Sequence, residues 1–187
     1  MDINQLIRSR RSVFPGFYSE KPIEKAVLEQ ILENGNWAPT HKLTEPWRYK
    51  VFQGESKLKL GEFLAEWYKA NTPAEKYSDL KYNKTLKKAK RSGAIIAICM
   101  QRDLQQRVPE WEELASVACS VQNMWLSCTA MGIGCYWSTP GSIHDYGSFQ
   151  KLEEGERCIG LLYMGYKGKE VPDSKRGPIE DKVIWYE

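Results

Sequence analysis

Histidine is the scarcest chemically versatile residue in this 187-residue chain, with only His41 and His144 present. No H-E-x-x-H pair, no Cys/His spacing of ligand type and no ligand-like carboxylate cluster occurs. No metal site is expected, because such sites draw on closely spaced imidazole, thiolate and carboxylate donors. The G-x-S-x-G elbow of a serine hydrolase and the Walker loop are also missing. Gly132-Ile133-Gly134 lacks a third glycine at Trp137 and follows a helical pattern rather than a strand, which disfavours a Rossmann dinucleotide site. With no nucleophile or acid–base set, no side chain is nominated as catalytic. Any enzymatic chemistry would fall to a cofactor.

Other absences narrow the class. The five cysteines, Cys99, Cys119, Cys128, Cys135 and Cys158, are odd in number and include no C-x-x-C pair. They sit mostly in apolar runs and are expected to be buried, reduced thiols rather than a disulfide framework. No basic-then-apolar leader pattern opens the chain, and no run approaches the about 20 apolar residues of a membrane span, so a soluble, cytoplasmic protein is expected. No Ser- or Gly-rich linker divides the chain, and one domain over 1–187 is expected. The charge balance, 27 basic against 24 acidic residues, is too mild to imply nucleic-acid binding.

What the chain does have is aromatic surface: seven tryptophans and ten tyrosines suit a stacked ligand, a large subunit interface, or both. The apolar spacing predicts a short helix over Asp2–Arg10 capped by Asp2, a second starting at Pro22 and stopped by Asn34-Gly35, and a third over about Ser56–Ala70. Lysines gather between Lys76 and Arg91, as a solvated helical face or a lid. The longest helix is expected from Pro109 to Met131, apolar nearly all round and therefore buried, in part against a partner subunit. Strands are expected at Tyr49–Phe52, Ala94–Met100, Cys135–Ser138, Cys158–Gly165 and Val183–Tyr186. This irregular alternation gives α+β or α/β, with a small sheet flanked by helices.

The segment from Trp37 to Tyr49 stands apart, because packing a core does not call for its polar, proline-punctuated mixture. Ala38 and Glu45 precede prolines and are expected to be extended, making the intervening loop rigid and suited to ligand contact. Two basic elements complement it. Arg10-Arg11-Ser12 offers forked donors, a hydroxyl and a backbone N–H, and Lys175-Arg176 adds charge from the far end of the chain. Together they form a phosphate-binding inventory.

Taken in order, Arg10-Arg11-Ser12, the Ala38-Pro39-Thr40-His41-Lys42 loop with Pro46-Trp47, the glycine turn after the long helix, and the basic tail with Pro178-Ile179-Glu180-Asp181 resemble the nitroreductase family over nearly the whole chain. The resemblance implies an α+β fold with a central, mostly antiparallel sheet flanked by helices, and an interlocked homodimer with the C-terminal tail on the partner. It also implies FMN as cofactor and NAD(P)H as co-substrate. Hydride would pass through the flavin to nitroaromatic, quinone or similar acceptors by a ping-pong mechanism.

By the same resemblance, Arg10 and Ser12 contact the flavin phosphate and ribityl chain, and Lys175 and Arg176 complete the phosphate site. Many relatives carry a lysine shortly after the serine; Val13-Phe14 stands there instead, and Arg11 is the expected substitute. Trp37, Thr40 and His41 would come from the other subunit, making each flavin site a composite of two chains. Trp137, Ser138 and Thr139 would pass the isoalloxazine and present backbone groups to it. Two other readings remain at this stage: a flavin-binding protein without catalysis, and an RNA-binding domain using Lys76–Arg91.

Overall fold

The apolar run at 94–100 becomes strand β2 (Ala94–Gln101), buried from Ala94 through Met100. It pairs antiparallel with β1 (Trp47–Phe52) on one side and β4 (Glu156–Tyr166) on the other, and β3 (Ile133–Ser138) closes the far edge. The computed structural model describes residues 2–187, and its four-stranded sheet has the order β1-β2-β4-β3.

Helices explain why β2 is apolar on both faces. Helices α2 (Lys25–Asn36) and α5 (Glu110–Ala130) cover one face, where Ile96, Ile98 and Met100 meet Leu28, Ile31, Val121 and Met124. Helices α3 (Gly54–Ala70) and α4 (Asp79–Arg91) cover the other, where Ile95, Ala97 and Cys99 meet Leu60, Leu64 and Ala89. The short α1 (Ile3–Ser9) rests on α5, and the Asp2 carboxylate accepts the Asn4 and Gln5 N–H groups at 2.7 and 3.0 Å. This is the α+β fold with an antiparallel sheet flanked by helices that the sequence leads one to expect. Among the described residues, no helix is long and apolar enough to cross a membrane.

Several local expectations shift. Helix α2 starts at Lys25, not Pro22, because Glu24 is extended, and it runs through Asn34-Gly35 to Asn36. Those two residues are packing contacts rather than a stop. Ser127 Oγ accepts from the Asn34 amide, and a Cβ at Gly35 would stand 2.8 Å from Met124 Cγ. Residues 141–148, read only as a break, form 3-10 turns that bury Ser142 and Tyr146. The lysine-rich stretch is the regular helix α4. Helix α5 is covered by its own chain on one side, and Trp111, Leu114, Ala115, Ala118 and Cys119 form an exposed stripe on the side expected to meet a partner subunit. The tail forms no strand: Ile184, Trp185 and Tyr186 are 76, 85 and 90% exposed, and a strand needs a ladder partner that this chain does not offer them.

Candidate functional site

Arg10 ends α1 in an extended conformation and turns the chain onto the edge of the sheet. Ser12 bridges Cys135 of β3 in parallel, and the Val13 N–H donates to the Cys135 carbonyl at 3.0 Å. The Tyr18 hydroxyl donates to the carbonyls of Val13 and Tyr163, at 2.7 and 2.9 Å, fixing this segment to β4 as well. Burial pushes the Tyr18 phenol far up, so it stays a neutral donor. The backbone around Ser12 is therefore pinned to two strands.

Arg10 stacks its guanidinium over the Trp125 ring, 4.7 Å from the centroid. Its pKa is lowered by burial and then by the nearby Arg176 guanidinium, although the C-terminal segment is far away in sequence. Neither arginine pairs with a carboxylate among the described residues. Like charges near one another repel, and an anion beside the half-buried Arg10 would relieve it.

Arg11 has a different task from the one expected. Its guanidinium donates to the carbonyls of Ser9 and Pro172 at 3.2 and 2.9 Å and to the Asp173 carboxylate at 2.7 Å. It fastens the segment that carries Lys175 and Arg176, and so positions the second arginine rather than offering its own fork to a ligand. Lys175 is exposed and its carbonyl accepts from Arg176 Nη1 at 2.8 Å. Trp125 is the residue that sequence reasoning missed here. It carries Arg10 on its ring face, and its Nε1–H donates to the Arg11 carbonyl at 3.3 Å.

Following β3 away from Ser12, the Trp137 side chain turns into the fold and lies on Gly160, where a Cβ would be 2.0 Å from Trp137 Nε1. That leaves the backbone of Trp137, Ser138 and Thr139 as what this segment presents. Ser138, Pro140, Gly141, Ser142 and Tyr163 form the strand side of a cleft of about 360 Å³. Leu64, Trp67 and Tyr68 of α3 and Lys81, Lys84, Thr85 and Lys88 of α4 form its helical side. Tyr136 stacks on Tyr163 with centroids 5.2 Å apart and meets Phe14 at 4.7 Å. Its hydroxyl is buried beside Ser138 at the cleft, where burial pushes the phenol pKa up.

Lys88 stands above this stack, its ammonium 5.8 Å from the Tyr136 centroid, and burial lowers its pKa. It makes no ion pair among the described residues. The cation that reaches the Phe14–Tyr136 pair comes from α4. The spacing Lys81, Lys84, Lys88 on one helical face was the signal available in the sequence.

The 37–46 loop is elsewhere. The Trp37 indole donates to Glu33 at 2.9 Å and is 79% exposed. Thr40 uses its hydroxyl locally, accepting the Glu45 N–H at 3.0 Å and meeting Thr44 Oγ1 at 3.3 Å. His41 Nδ1 lies 2.5 Å from Glu112 at the start of α5. Glu45 is not extended: it has φ of 42°, and Lys42 and Leu43 have 51° and 52°. Left-handed non-glycine residues each cost on the order of 1 kcal/mol, and such clusters gather at functional sites. The Thr40 hydroxyl and the Arg48 guanidinium, which donates to the Glu45 carbonyl at 2.9 Å, hold the unusual turn. Within one chain Ser12 and Trp137–Ser138 share the sheet edge with Arg10 next to them, whereas Thr40 and His41 sit beside the start of α5 and Trp37 lies against α2.

Comparison with known proteins gives this geometry a context. Residues 7–166 match the profile of the Nitroreductase family. The provisionally named NAD(P)H nitroreductase YfhC of Bacillus subtilis (strain 168) is 28% identical over 184 residues, covering 96% of this chain and 92% of that protein. A nitroreductase-like family protein from Bacillus cereus superposes with a TM-score of 0.83 at 27% identity, covering 100% of this chain and 97% of that one. A Desulfovibrio desulfuricans nitroreductase-type protein in complex with FMN has the same fold, with a TM-score of 0.77 at 20% identity and coverage of 100 and 98%.

Proposed function

The chain belongs to the nitroreductase family, and from that premise we propose that it is an FMN-dependent oxidoreductase, working as a homodimer. It would take hydride from NAD(P)H and pass it to a conjugated acceptor by ping-pong exchange. The observation that carries this reading is the run of the chain along β3, with Ser12 bridged to Cys135 next to Arg10, which pairs with no carboxylate among the described residues, and a cleft at the far end beside Ser138.

The residues present fit FMN. Two guanidinium groups without carboxylate partners among the described residues, Arg10 and Arg176, suit a phosphate dianion, and Ser12, two residues after Arg10, is exposed. The buried Tyr136 hydroxyl beside Ser138 suits a polar ring edge, and Lys88 brings a poorly solvated cation to the same side of the cleft. When bound, FMN supplies the redox chemistry, accepting hydride at N5 and releasing it to the acceptor. The chain's own contribution is to hold phosphate at Arg10, Ser12 and Arg176, to present the Trp137–Thr139 backbone to the ring, and to keep positive charge near it at Lys88. None of these groups needs to act as nucleophile or general base, which agrees with the shortage of histidine.

Exposed apolar surface supports the dimer. Trp37, Leu43 and Trp111 are 79, 80 and 67% exposed around the 37–46 loop and the start of α5. Surfaces of that kind mark association sites. The strandless tail with exposed Ile184, Trp185 and Tyr186 is a second candidate for burial on a partner. In this reading Trp37, Thr40 and His41 reach the flavin site of the other subunit.

Anaerobic addition of NADH or NADPH to purified protein supplied with FMN tests the proposal. Tight uptake of flavin and bleaching of its visible absorbance are expected. A protein that takes up no FMN fails the reading, and one that binds FMN but is not bleached by either nucleotide is a flavin-binding protein without this activity.

A further inference from the structure

The cleft beside Ser138 has a chemical bias that hydride transfer to a neutral acceptor does not need. Lys81, Lys84 and Lys88 lie on one face of α4, at spacings of three and four residues, and all three line the cleft. No aspartate or glutamate is among the lining residues. The nearby carboxylates bond neutral donors, Asp145 accepting from Trp67 Nε1 at 2.5 Å and Glu66 from the Tyr82 hydroxyl, and neither forms an ion pair with Lys81, Lys84 or Lys88. Trp67 and Tyr68 form the aromatic part of the same wall. Lys88 leans toward the strand side over Tyr136, whereas Lys81 and Lys84 are exposed at the helical side.

A cluster of ammonium groups that pairs with no carboxylate among the described residues repels itself and attracts anions. A neutral quinone or nitroaromatic would use the aromatic wall and ignore the lysines. A planar ring bearing a carboxylate would use both, stacking on the indole or phenol while its anion meets the ammonium groups.

Resting on the oxidoreductase reading above, we infer that the acceptor is an anionic aromatic, a conjugated electrophile carrying a carboxylate or an equivalent acid group. Its ring lies against Trp67 and Tyr68, and its anion is held by Lys81 and Lys84. For a nitro acceptor the two-electron step balances as 4-nitrobenzoate plus NAD(P)H plus a solvent proton giving 4-nitrosobenzoate, NAD(P)+ and water. One N–O bond breaks, and its oxygen leaves as water.

The test compares 4-nitrobenzoate with 4-nitrobenzamide, a neutral molecule of nearly the same shape. With the holoenzyme, kcat/KM is expected to favour the benzoate by about tenfold at low salt, the combined effect of two exposed charge contacts, and the preference should shrink as ionic strength rises. The double variant K81Q/K84Q is expected to bring the benzoate-to-benzamide ratio toward one. Calorimetric binding of the two ligands supplies a readout independent of turnover, and the same discrimination is expected there. Equal kcat/KM values for the two acceptors in the wild type would overturn the inference while leaving the oxidoreductase reading intact. So would a K81Q/K84Q variant that keeps its benzoate preference but is bleached more slowly by NAD(P)H, because the lysines would then serve the nucleotide phosphates. If the protein takes up no FMN, the oxidoreductase reading fails on its own. Calorimetry on that protein still decides whether the cleft selects the carboxylate.

Discussion

The sheet-edge end of the candidate site and the 37–46 loop are built to different degrees. At the edge, Tyr18 ties Val13 to β4, the Val13 N–H is tied to β3, and Arg11 straps down the segment bearing Arg176. Most of these contacts join residues far apart in sequence, so the backbone beside Arg10 and Ser12 is set before any ligand arrives. The loop is held mainly by its own residues, through Thr40, and by His41 on Glu112, and it leaves Trp37 and Leu43 in solvent. One side is preorganised within a chain, and the other is a strained turn displaying surface that only another molecule would cover. Preorganised donors lose little freedom on binding, which is where affinity for a phosphate would come from.

Substitutions can break this contrast, beginning with the platform of the loop. Arg102 pairs with Glu113, whose side chain is fully buried one residue beyond the glutamate that holds His41. Arg102→Ala strands that carboxylate and is expected to cost about 3–5 kcal/mol of stability. The denaturant midpoint measures it, and a loss below about 1 kcal/mol would mean that the pair does not anchor α5. On the preorganised side, Arg10→Ala removes a charge-assisted contact worth about 1.5–3 kcal/mol. Fluorescence titration should show FMN affinity reduced about 10- to 100-fold, with the fold unchanged by circular dichroism.

Smaller effects sharpen the contrast. Thr40→Val leaves the Glu45 N–H without its acceptor and is expected to cost about 1 kcal/mol by thermal unfolding. Should the stability not change, solvent rather than Thr40 holds the turn. Trp37→Ala is expected to change the stability of the isolated chain by less than about 0.5 kcal/mol, since the indole packs on little. Its effect should appear in sedimentation as weaker self-association, and unaltered association would remove Trp37 from the interface.

The elements most legible in the sequence are those whose patterns no other force contests. The apolar runs at 94–100 and 158–165 could only be interior strands, and the small, apolar residues of 110–130 could only make a packed helix. Arg10, Ser12 and Arg176 are proposed as a phosphate set because their order along the chain resembles the nitroreductase family. Tertiary contacts hid the rest. Asn34-Gly35 reads as a helix stop but serves the close approach of α2 to α5. Glu45 precedes proline yet is drawn into a left-handed turn by Thr40 and Arg48. Arg11 looks like a ligand contact until Asp173, 162 residues later, claims it. Lys88 was concealed in a run of lysines until the helix gave it a direction.

The contrast between the two regions meets its most direct test in mixed dimers. One chain carries Arg10→Ala with Arg176→Ala, the other carries Trp37→Ala with His41→Ala, and bound FMN is counted per dimer. If the loop acts on the partner's phosphate site, each parent homodimer has two damaged sites. The mixed dimer should then combine both lesions in one site, leave the other intact, and hold one FMN. If the loop serves its own chain, both sites of the mixed dimer stay damaged, and finding no bound FMN would contradict a site shared between subunits.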